Sequence, residues 1–61
     1  MVEYRIRQDG VTVAQVSGSD LSAESQIMHY AQQYKQDGEV IIEVRHMLPS
    51  GPAWKRHMLI A

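Results

Sequence analysis

The chain contains no cysteine and no phenylalanine, and only one tryptophan and two prolines among its 61 residues. Without cysteine there is no disulfide and no thiolate metal site. Without phenylalanine, aromatic packing falls to Tyr4, Tyr30, Tyr34 and Trp54. A large excess of charge of one sign is also missing. The formal net charge is −1 with the histidines neutral, unlike a strongly basic nucleic-acid binder, although a local basic patch fits that balance. The chain starts with strand-like alternation rather than a charged segment and an apolar run, and no apolar run is long enough to cross a bilayer. The expected location is therefore cytoplasmic.

Length sets a second bound. A chain of 61 residues reads as one domain spanning 1–61, and a domain of this size buries only about 60% of its unfolded surface. Ordering the chain costs roughly 1.5 kcal/mol per residue, which nearly cancels what burial contributes. Small folds of this kind lean on disulfides, metals or partners. With disulfides excluded, self-association gains weight.

The segment Ser19 to Gly38 is the one stretch with helical periodicity. At about 100° per residue, Ala23, Ile27, Tyr30, Ala31 and Tyr34 fall on one side, flanked by Leu21 and Met28. Gln26, His29, Gln33 and Gln36 fall on the other. The pattern predicts an amphipathic helix that starts between Asp20 and Ala23. Ser19, Asp20 and Ser22 are candidate N-caps, and Glu24 suits the first turn, where the dipole favours a carboxylate. Gly38 is expected to close the helix in the left-handed conformation.

On either side lies a strand pair. Val2, Tyr4 and Ile6 alternate with Glu3, Arg5 and Arg7, which predicts a half-buried strand. Asp9-Gly10 is a strong hairpin signal, and Val11 to Val16 is the β-branched return. A two-residue loop sets Ile6 opposite Val13 and Arg5 opposite Ala14. Beyond Gly38, Val40, Ile42 and Val44 share one face of a third strand, with Glu43 and Arg45 on the other. Leu48-Pro49-Ser50-Gly51-Pro52 reads as a turn, and Ala53 to Ile60 as a last strand. The predicted fold class is α+β: ββαββ, a four-stranded antiparallel sheet in order 2-1-3-4 with one helix packed on one face.

The register of the last strand is open. A turn centred on Ser50 pairs Ile42 with Met58 and Val44 with Arg56. Trp54, Met58 and Ile60 then lie under the helix, and Arg56 snorkels at the edge. A shift of one residue puts His57 and Leu59 inside and moves Trp54, Arg56, Met58 and Ile60 to the open face beside Ile41.

Two surfaces follow as candidates. Arg5, Arg7 and Arg45 form a binding face on the open side of the sheet, which Trp54 and Arg56 join in the shifted register. Arginines beside an exposed aromatic resemble a single-strand nucleic-acid platform in physical terms; a solvated face laced with cross-strand Arg–Glu pairs ranks ahead of that reading. In the shifted register Ile41, Trp54, Met58 and Ile60 make an apolar patch that is the candidate dimer interface, with edge-to-edge pairing of the last strand as the other route to a dimer. Glu3-Tyr4-Arg5 and Glu43-Val44-Arg45 echo each other, but three residues are too few for a repeat.

Other chemistry is weakly supported. The spacing of His29, His46 and His57 fits no zinc-ligand motif, so no metal is assigned. The Ser17-Gly18-Ser19 loop is no phosphate loop, since Asp20 and Glu24 repel an anion there. No serine lies in a nucleophile-elbow pattern and the carboxylates are scattered. No catalytic residue and no cofactor is assigned. The sequence reads as a non-enzymatic interaction module, a homodimer that binds a protein partner. Nucleic-acid binding ranks second.

Overall fold

In a computed structural model, described for residues 1–46 and 53–61, the chain runs β1 (Val2–Gln8), β2 (Val11–Gly18), α1 (Asp20–Tyr34), a 3-10 turn (Lys35–Asp37), β3 (Val40–His46) and β4 (Lys55–Ile60). The four strands form one antiparallel sheet in the order β2-β1-β3-β4, as the alternation predicts. The proposed turn at Leu48 to Pro52 lies outside the described residues.

The first hairpin turns at Asp9 and Gly10, with φ of 54° and 77°, the two positive values that a tight primed turn requires. The expected pairing beyond it needs correction. Gln8 meets Val11 and Arg7 meets Thr12, but Ile6 then meets Ala14 and Arg5 meets Gln15, leaving Val13 as an extra residue. This β-bulge changes the parity of β2. Val13, Ala14 and Val16 consequently all pack against the core, whereas an unbroken ladder would have sent Ala14 and Val16 to the opposite face.

The core lies between the sheet and α1. Val2, Tyr4 and Ile6 from β1, Val40 and Ile42 from β3, and Ala23, Ile27 and Ala31 from α1 are buried together. The helix presents these three residues because they recur every fourth position, one turn apart. Tyr30, expected on the buried side, is 40% exposed, and Leu21 is 83% exposed. The buried stripe is thus narrower than the apolar arc of the wheel, confined to Ala23, Ile27 and Ala31 with Met28 and Tyr34 at its margin.

The helix starts at Asp20, within the expected range, and departs from expectation in how its two ends are capped. Ser19 is the N-cap residue, but its side chain makes no capping hydrogen bond; its carbonyl accepts from the Ala23 N–H at 2.8 Å. Gly38 has φ 132° and ψ −172°, which is an extended conformation open to glycine rather than the left-handed helical cap. Backbone bonds run on past α1, from the Lys35 N–H to the Ala31 carbonyl and from the Gly38 N–H to the Lys35 carbonyl at 3.1 Å, and one side chain of the sheet adds to them. Gln8 Nε2 donates to the Tyr34 carbonyl at 2.8 Å and reaches the Gly38 carbonyl at 3.4 Å, satisfying acceptors that the helix leaves without partners.

A second bulge settles the last strand. Val40 pairs with Ile60, Ile41 with Leu59 and Ile42 with Met58, but Glu43 pairs with Arg56 and Val44 with Lys55, so His57 is the extra residue. Neither unbroken register is correct. Met58 and Ile60 lie on the helix side, as the first alternative has it, and Arg56 lies on the open face, as the second has it.

Candidate interaction surface

The open face is built from the odd-numbered residues of β1 and β3. Antiparallel pairing sets Glu3 opposite Arg45 and Arg5 opposite Glu43. The echo between Glu3-Tyr4-Arg5 and Glu43-Val44-Arg45 is thus a charge pattern: two Glu-x-Arg triplets run antiparallel, and each carboxylate meets a guanidinium. Arg5 Nε donates to Glu43 Oε1 at 2.6 Å, and Arg45 Nε donates to Glu3 Oε1 at 2.6 Å. Gln15 Nε2, from β2, donates to the other Glu3 oxygen at 2.5 Å.

Glu3 is the one buried polar residue among the described residues, at 9% exposure. The Gln15 amide, followed by the Arg45 guanidinium, holds its carboxyl below the ordinary value, against the opposing effect of burial. Both donors stabilise the charged form, which is why burial does not win.

Trp54 lies on this open face. The guanidinium carbons of Arg5 and Arg45 sit 4.3 and 4.6 Å from its ring centroid, inside the range of a cation–π contact. Each arginine therefore meets a carboxylate and an indole at once. The other two predicted arginines stand apart from this contact. Arg7 turns toward the hairpin, donating to Thr12 Oγ1 at 2.7 Å and to the Gly10 carbonyl at 2.8 Å. Arg56 is exposed and stands opposite Glu43. The five predicted binding residues thus share a face, and three of them make one cluster. Near the hairpin end of the same face, Arg7, Asp9, Gly10, Glu39, Ile41 and Glu43 line a depression open to solvent.

The predicted dimer residues are divided by the His57 bulge. Ile41 and Trp54 are on the open face, Met58 and Ile60 on the helix side, so the four do not form one patch. Leu59, opposite Ile41, joins the open face instead, 46% exposed.

Sequence reasoning missed the role of His57. As the bulged residue it points to the helix side, where Nε2 lies 2.8 Å from Glu24 Oε2. Its ring packs edge-on against Tyr4, with centroids 5.2 Å apart. This contact ties the edge strand to α1. No spacing in the chain points to it, because Glu24 and His57 lie 33 residues apart and meet only in the folded chain.

No helix among the described residues is long and apolar enough to cross a membrane. Comparison of the chain with known protein families, with curated proteins and with solved structures returns no significant match.

Proposed function

We propose that the chain is a small non-enzymatic interaction module that acts as a homodimer and binds a protein partner. The observation that carries this reading is the state of β4. It is an edge strand, α1 packs over β1, β2 and β3, and Met58 and Leu59 are 38% and 46% exposed on opposite faces of it. Exposed apolar edges invite pairing, and a core this small gains stability from a second copy. The cluster of Trp54, Arg5 and Arg45 is the candidate contact for another protein, since tryptophan and arginine are the residue types that anchor interfaces. Light scattering over a concentration series tests the dimer. A mass near twice the 7.0 kDa of the chain is expected, and a monomer mass at every concentration refutes self-association.

A second reading is nucleic-acid binding on the open face, favoured by the position of Trp54 among arginines. Against it stand the carboxylates, because Glu3 and Glu43 already neutralise Arg45 and Arg5. It requires oligonucleotide binding that weakens steeply with salt and disappears in the Arg5→Ala/Arg7→Ala double variant. Failure to bind at low salt rejects it.

A further inference from the structure

We infer that two copies join by antiparallel pairing of β4 with its mate, with the two-fold axis at Leu59, to make one continuous eight-stranded sheet. The inference rests on the homodimer reading above and adds the surface and register of contact.

The distribution of side chains along β4 carries it. The strand is divided by its bulge. Before His57 come Lys55 and Arg56, both exposed; after it come Met58, Leu59 and Ile60. The second half is regular, uncharged and apolar on both faces. In an antiparallel pair, directly opposite residues lie on the same face. Centring the axis on Leu59 sets Leu59 against Leu59 on the open face, and Met58 against Ile60 twice on the helix side. All three cross-strand pairs are then apolar, and the bulge lies outside them.

Registers centred earlier along the strand fail on charge or on geometry. An axis at Arg56 sets two guanidiniums directly opposite, which destabilises a strand pair. An axis at Met58 brings Leu59 against His57, a residue on the other face because of the bulge. Centring on Leu59 keeps the Lys55-Arg56 pair of each copy away from that of its mate. The other edge, β2, is less suited, because its Val13 bulge is held by the helix: Tyr34 Oη donates to the Val13 carbonyl at 3.0 Å.

The pairing places residue 59 of each copy against itself, at the 4.5–5.5 Å Cα separation of opposed antiparallel residues, about the span of a disulfide. The experiment uses charge exchange. Leu59→Glu and Leu59→Lys are made separately and weighed by light scattering, alone and mixed in equal amounts, with circular dichroism to verify the fold. Each alone is expected to be monomeric, and the mixture to recover the dimer mass. In parallel, Leu59→Cys is expected to form an interchain disulfide on mild oxidation, whereas Gln33→Cys, on the exposed side of α1, is not. If the native chain is dimeric and the charged variants remain so, or if the two cysteine variants cross-link equally, the Leu59 axis is wrong while the homodimer stands. If the native chain is monomeric throughout, both fall.

Discussion

Tyr34, the last residue of α1, donates its hydroxyl to the carbonyl of Val13, the bulged residue of β2, across 3.0 Å. The bulge and the end of the helix thus fix one another. The Val13 carbonyl, displaced from the ladder, finds a donor, and Tyr34 is drawn over the sheet with its ring against the core.

Tyr34→Phe keeps the ring and removes the donor. The expected loss is about 0.5–1.5 kcal/mol, the net worth of an ordinary hydrogen bond. Urea denaturation checks it: the midpoint falls and the slope is unchanged, since the surface exposed on unfolding is the same.

Acid titration isolates Glu3. Its carboxyl is held below the ordinary 4.5 by Gln15 and Arg45. A depressed folded pKa contributes stability that is present above the unfolded value and lost as pH falls through the folded one. The native chain is therefore expected to weaken as pH drops below about 4.5. Glu3→Gln lowers the denaturation midpoint at pH 7 and flattens its decline in acid. An equally steep acid decline in the variant removes Glu3 from the account.

At the alkaline end Tyr4 acts in the opposite sense. Burial, reinforced by Glu24 and Asp20, raises its hydroxyl above the usual 10.0. Its contribution is fully present below the unfolded pKa and is lost as pH rises through the folded value. Tyr4→Phe should match the native chain near neutrality and lose less stability from pH 9 upward, about where the unfolded tyrosine starts to ionise. Denaturation midpoints measured in parallel on the two chains decide it.

Ile27 is fully buried at the centre of the helix–sheet contact. Truncating a buried isoleucine to alanine costs about 2–5 kcal/mol, against the 3–5 kcal/mol or so that a core of this size supplies. Ile27→Ala is expected to be largely unfolded at room temperature by circular dichroism. Ile27→Val, at about 0.5–1.5 kcal/mol, stays folded with a lower melting temperature.

The strand order, the Asp9-Gly10 turn and the buried positions of β1 and β3 were legible in the chain because strict alternation leaves one face to bury. The bulges were not. For β2 a signal exists: apolar residues occupy 11 and 13 and then 14 and 16, and that change of parity marks the extra residue at Val13. For β4 none exists. Trp54, Met58 and Ile60 keep one parity throughout, so the alternation implies an unbroken strand. The break follows from the neighbours, since it lets Arg56 face Glu43 on the open side while Met58 still covers Ile42 on the other. Part of the candidate interaction surface was legible by residue type, in Arg5, Arg45 and Trp54. The division of the apolar residues across two faces depended on a bulge that no local pattern records.

The position of Trp54 also makes the molecule easy to watch. It is the one tryptophan in the chain, and it lies outside the helix–sheet core, beside two guanidiniums. Indole emission therefore reports the local state of the open face rather than the integrity of the interior. A ligand seated there would alter the fluorescence without any change in fold, and a separate probe of the backbone would tell the two events apart.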